Sequence, residues 1–139
     1  MARRWVVRVF VLEDSHDRIE EFRKALAGAD VSIASSYDEA VALFSPPYDL
    51  LCLDHDLGFD ETLNPEIENT GYEFVRWLPR ASQSFRPKVV VHTHCNVGAA
   101  AMARELGLKG FRPAVLPFGR SVLTNVRRMC ENARLRETS

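Results

Sequence analysis

Leu50-Leu51-Cys52-Leu53-Asp54-His55-Asp56-Leu57-Gly58 joins an apolar run to a pair of carboxylates. Its first four residues carry no polar side chain, the pattern of a strand covered on both faces in a parallel sheet. In an open, doubly wound α/β sheet, ligands sit in the crevice just beyond the carboxyl ends of such strands. Side chains alternate along extended backbone, so Asp54 and Asp56 are expected to point one way and His55 the other.

The flanking sequence repeats this strand-then-helix grammar. Trp5 to Leu12 is β-prone and ends in Glu13-Asp14. Ser15 or Asp14 caps the next helix, which carries Ile19, Phe22 and Leu26 on one face and stops at Gly28. Val31 to Ala34 forms a second strand. Ser36 caps a helix with Ala40, Val41, Leu43 and Phe44, ended by Pro46-Pro47. After the opening stretch, 58–70 is the longest irregular segment, read either as solvated surface or as a lid. Asn69 or Thr70 caps a helix burying Phe74, Val75 and Leu78. Lys88 to Val91 is a fourth strand with His92-Thr93-His94-Cys95-Asn96 at its exit, and Asn96 is the expected cap of an alanine-rich helix. Pro113 to Leu116 reads as an edge strand, because proline cannot donate to a ladder. Ser121 begins a last helix with Val122, Val126, Met129 and Ala133 on one stripe, and residues 135–139 are expected to fray. The whole predicts an α/β fold: a five-stranded parallel sheet, doubly wound, with helices on both faces in three layers. All 139 residues form one expected domain with its core at about 5–134.

Composition narrows the partners. A net charge of −1 supplies no global basic field, and the arginines near the termini lack interleaved aromatics, so specific nucleic-acid binding is disfavoured. Cys52, Cys95 and Cys130 are odd in number and contain no C-x-x-C pair, which fits free thiols in a reducing cytoplasm. No apolar run approaches the ~20 residues that span a bilayer, so no membrane partner is expected.

Strand-ending acids from separate segments are expected to meet. Two carboxylates about 4 Å apart repel by roughly 4 kcal/mol at an effective dielectric near 20, enough to leave one of them protonated at neutral pH. A divalent cation on Glu13, Asp14, Asp54 and Asp56 removes the conflict, and an all-oxygen set suits Mg²⁺ or Mn²⁺. The plainer alternative is capping by Asp14 and a turn at Asp56. His92 and His94, one residue apart, are read as sharing a face, where they would bind metal, contact phosphate or move protons; otherwise they pack at a strand end. Cys95 beside them is a weak argument for Zn²⁺. Asn96 caps its helix or touches substrate. His55 turns away from the acids, and His16 reads as a solvated helix residue.

These residues resemble the receiver domains of two-component response regulators over about 5–134. Glu13-Asp14 stands where that family keeps its acidic pair, Asp54 where its phospho-accepting aspartate lies, and Thr93 where a hydroxyl ends the fourth strand. Leu116-Pro117-Phe118 resembles the Lys-Pro-Phe that ends the fifth, but the lysine is missing; Arg112 is the candidate replacement. The resemblance implies Mg²⁺ held by the acidic pair, Asp54 and the main-chain carbonyl of Asp56. The D-H-D-L-G, N-T-G-Y-E-F-V-R-W-L and H-T-H-C-N runs are similar to a divergent group, the cyclic-phosphate processing receiver domains. That similarity implies a metal-dependent phosphoesterase acting on a cyclic phosphate or phosphorylated nucleotide. Asp54, Asp56, His92 and His94 would then be catalytic, with Thr93 and Asn96 against substrate. The alternative is a receiver or pseudo-receiver module that is phosphorylated on Asp54, or binds a divalent metal, and recruits a protein partner without catalysis.

Overall fold

Every apolar run read as a strand pairs in parallel with a neighbour in the computed structural model, which describes residues 6–57 and 70–138, with backbone alone after 135. The elements are β1 (Arg8–Leu12), α1 (His16–Ala25), β2 (Asp30–Ala34), α2 (Tyr37–Leu43), β3 (Leu50–Leu53), α3 (Gly71–Trp77), β4 (Lys88–Val91), α4 (Asn96–Leu108), β5 (Pro113–Val115) and α5 (Arg120–Thr138). The sheet order is β2-β1-β3-β4-β5, so the winding direction reverses between β1 and β3.

Alternation splits the strand residues between two cores. Phe10, Leu12, Leu51, Leu53, Val89 and Val91 face one side with Phe74 of α3 and Met102 and Leu106 of α4. Val9, Val11, Leu50, Cys52 and Val90 face the other with Phe22 of α1 and Val122 and Val126 of α5. Both faces of the central strands are dry, as the unbroken Leu50–Leu53 run requires. Burial of a Leu or Phe side chain stabilises by about 1.5–3 kcal/mol, so these two layers dominate the driving force.

Helix starts follow local chemistry. Ser15, Ser36 and Thr70 each accept a backbone N–H from three residues on. At α4 the expected cap shifts by one. Cys95 Sγ accepts from Gly98 N at 3.3 Å, and Asn96 is already helical. The expected inward Leu43 is 47% exposed; Ala40 and Phe44 carry the contact of α2 instead. The last helix does not fray at 135 but continues to Thr138, since nothing in Arg134–Thr138 breaks a helix. At the end of α3, Lys109 Nζ donates to the carbonyls of Val75, Arg76 and Leu78 at 2.7, 2.5 and 2.6 Å. A cation there suits the negative end of the helix dipole and shares the Val75 carbonyl with the N–H of Leu78. The segment proposed as a lid lies outside the described residues, apart from Thr70.

Candidate functional site

The ladder runs one residue past each central strand. Glu13 N donates to Ala34 O at 3.0 Å, Asp54 N to Leu12 O at 3.0 Å and His92 N to Leu53 O at 2.9 Å. Glu13, Asp54 and His92 therefore stand side by side on the carboxyl edge of β1, β3 and β4, where the sheet order reverses. All three continue the parity of Val11, Cys52 and Val90, toward the α1 and α5 side.

The acids converge as the charge argument requires. Glu13, Asp14 and Asp54 each offer an oxygen within 4.8 Å of the others. Glu13 is wholly buried: its Oε2 accepts the N–H groups of Asp14 at 3.0 Å and Ser15 at 3.1 Å, while its Oε1 has no hydrogen-bond partner among the described residues. Burial, and then the charge of Asp54, push the Glu13 carboxyl up to about 8. Burial also raises Asp54, whose Oδ1 accepts from His55 N at 2.8 Å. An orphaned, buried carboxylate oxygen beside two more carboxylates is a donor set that fits Mg²⁺ or Mn²⁺. Beside the acids opens a cleft of about 340 Å³ lined by Asp14, Ser15, Arg18, Asp54, Asp56, Thr93 and His94.

Residues 9–107 match the family model of the cyclic-phosphate processing receiver domain. The chain belongs to that family. Solved receivers share its fold at low identity. A CheY-like response regulator receiver domain from Methanospirillum hungatei JF-1 aligns with TM-score 0.59 and 14% identity, covering 95% of this chain and 98% of that one. The chemotaxis response regulator CheY4 of Vibrio cholerae aligns with TM-score 0.60 and 22% identity, covering 89% and 98%. The response regulator Rcp1, solved in a Mn²⁺-bound form, aligns with TM-score 0.58 and 16% identity, covering 91% and 90%. Among curated proteins none matches the sequence. The doubly wound, receiver-like sheet is thus both read from sequence and found.

Within this cyclic-phosphate processing receiver, several expected site residues are placed differently. His92 and His94 do not share a face, because β4 ends at Val91 and the chain turns at Thr93, whose Oγ1 accepts from Cys95 N at 3.1 Å. The His92 ring is fully buried against Phe22, with centroids 4.8 Å apart, and Phe118, at 6.3 Å. Burial depresses its pKa to about 3, so it is neutral and out of reach of the cleft. Its Nδ1 lies 3.6 Å from Glu13 Oε1, which makes it a neighbour of the acid rather than a proton donor to substrate. His94 alone is exposed at the cleft. Asp56 lines the cleft, but its carboxylate stays outside the Glu13–Asp14–Asp54 cluster and meets His55 Nδ1 at 2.9 Å. Asn96 is exposed on the first turn of α4 and is not among the cleft-lining residues. Arg112 precedes β5 and lines a hollow with Tyr48, Asp49 and Lys88 at the opposite, amino edge of the sheet, so it cannot replace the absent lysine. The cation at the cleft is Arg18, which the sequence reading missed. Its Nη1 is 3.8 Å from Glu13 Oε1 and its guanidinium stacks 4.8 Å from the Phe118 ring centroid. An arginine four residues after Asp14, on the first turn of a helix, was the available signal.

The buried titrating groups set a pH dependence. Glu13 keeps its proton in the folded chain up to about 8 against 4.5 unfolded, so its contribution is full at low pH and is lost as pH rises through 8. His92 has the opposite sign: its contribution is present above 6.5 and is lost as pH falls toward 3. Metal-free protein is expected to lose roughly 1.4 kcal/mol per pH unit above neutrality, until Glu13 has ionised. Urea titrations at successive pH values check this, and saturating Mn²⁺ should flatten the alkaline limb.

Proposed function

We propose that this receiver is a divalent-metal-dependent phosphoesterase acting on a cyclic phosphate or phosphorylated nucleotide end. The observation that carries the reading is the crowding of Glu13, Asp14 and Asp54, with Glu13 Oε1 accepting no hydrogen bond among the described residues, against a cleft that also holds a cation and an exposed imidazole. Glu13, Asp14 and Asp54 would hold Mg²⁺ or Mn²⁺, a reading that the Mn²⁺-bound form of response regulator Rcp1 supports. An ion held there would supply Lewis-acid chemistry, polarising a phosphoryl oxygen and lowering the pKa of water.

The chain's own groups do the rest. Arg18 faces the cleft and supplies a fixed positive charge to phosphoryl oxygens, the place left by the missing lysine at Leu116. His94, at the cleft, gives a proton to the leaving oxygen. Thr93 presents its hydroxyl from the floor, and Asp56 borders the mouth. His92 and Phe118 wall Glu13 and Arg18 and keep water from that side.

A second reading keeps Asp54 as a phospho-acceptor in a module that binds a protein partner; Asp54 and the Thr93 hydroxyl lining one cleft favour it. Two assays separate them. Hydrolysis of 2′,3′-cyclic nucleotides should require Mn²⁺, and Arg18→Ala should lower kcat/KM about 100-fold with the fold intact. Stable labelling of Asp54 by acetyl phosphate, without any turnover, would instead establish the signalling module.

A further inference from the structure

We propose a second metal site on the other side of the β3 exit, in which His55, Asp56 and Cys95 hold a thiophilic transition ion of the Zn²⁺ class. It shares no residue with the acidic cluster and stands independently of the phosphoesterase reading.

The alternation that aims Asp54 at the α1 side sends His55 toward α4. There a ring nitrogen of His55, a carboxylate oxygen of Asp56 and Cys95 Sγ all lie within 4.8 Å of one another. One nitrogen, one oxygen and one sulfur, with room for a fourth ligand, is a donor set for Zn²⁺ or Co²⁺ rather than for Mg²⁺. His55 and Cys95 are half-buried while Asp56 is exposed at the cleft, so the cluster is reachable from solvent.

The arrangement is built into the backbone. Asp56 bridges Thr70 in antiparallel fashion, and Gly71 N donates to His55 O at 2.8 Å, so the loop is fixed from the α3 side. On the α4 side the imidazole lies flat on Gly98. A Cβ there would sit 2.5–2.6 Å from Cδ2 and Nδ1 of the ring, so only glycine admits it. The same Gly98 donates its N–H to Cys95 Sγ at 3.3 Å, which orients the sulfur. Glycine thus places the ring and the sulfur together from one position. Without an ion, these contacts reduce to a His55–Asp56 hydrogen bond and an ordinary helix cap.

Titration of the full chain with Co²⁺ distinguishes the two, because a thiolate ligand gives an intense sulfur-to-cobalt charge-transfer band that carboxylates cannot give. The band should appear in the wild type and in Cys130→Ser. It should vanish in Cys95→Ser, which retains the helix cap, and weaken in His55→Phe, which keeps a ring on Gly98 but removes Nδ1. Zn²⁺ should bleach it, while the Mn²⁺ resonance signal of the acidic cluster stays unchanged in Cys95→Ser. Absence of the band in the wild type, its persistence in Cys95→Ser, or its loss in Cys130→Ser would overturn the site. Loss of the Mn²⁺ signal with the band intact would count against the acidic centre alone.

Discussion

Asp54→Asn is expected to reduce Mn²⁺-dependent hydrolysis by ~10³-fold or more while raising the melting temperature of the metal-free protein. The two effects share one cause. Asp54 is 3% exposed and sits with Glu13 and Asp14 inside 4.8 Å, so its charge opposes ionisation of Glu13. An asparagine keeps the Oδ1 that accepts from His55 N but removes that charge. Glu13 then ionises at lower pH, and the destabilising limb above neutrality shrinks. Relief of about 1–2 kcal/mol at pH 8 corresponds to a rise of several degrees for a chain of this size. On the proposed function the same change would remove a ligand of the divalent ion, and the catalysis that ion supports would go with it. Calorimetry with and without Mn²⁺, beside turnover of a cyclic nucleotide, reads both halves. A variant less stable than wild type without metal would refute the repulsion account.

Gly71→Ala is expected to destabilise the fold by about 3 kcal/mol or more. A Cβ at this first residue of α3 would fall inside contact distance of the Asp54 carbonyl oxygen, 2.8 Å from its carbon and 2.8 Å from Met102 Cε. The methionine tip can move; the backbone of β3's exit cannot without shifting the Asp54 carboxylate and the Gly71 N–H to His55 O bond. Mn²⁺ affinity should therefore fall along with stability. Gly107→Ala is the matched control. That glycine lies inside α4 with nothing within 4 Å of the added carbon, so the change should stabilise by about 0.5–1 kcal/mol. Urea denaturation of both variants measures the contrast.

The strands were legible because buried parallel strands leave continuous apolar runs, and Leu50–Leu53 and Val89–Val91 are such runs. Glu13 and Asp54 were legible for the same reason: each sits one residue past a strand, still in register, where alternation still governs direction. His94 and Asp56 lie beyond that limit. Two residues on, local turns decide the direction, so an alternation rule sent both histidines to one face and the two aspartates to one ion. His92 was in fact readable by parity with Val90, which points into the α1 and α5 core. Arg18 left only a slight local signal, its place on the first turn of α1 four residues after Asp14, because whether a helix residue faces a strand end is decided by tertiary placement. The Asn96 cap failed for a subtler reason. Asparagine is the better cap by propensity, but the chain enters α4 one residue earlier, and the sulfur of Cys95 takes the N–H instead.

Lys109 spends all three of its ammonium protons on the last carbonyls of α3. The helix that begins by pressing Gly71 onto the Asp54 carbonyl is thereby moored at its far end to the turn after α4. An acyl group on that amine would cancel the charge and sever the three tethers in one chemical event. The last turn of α3 would then lose its anchor, while Phe74 and Val75 packed with Met102 and Leu106 would still hold the helix against α4.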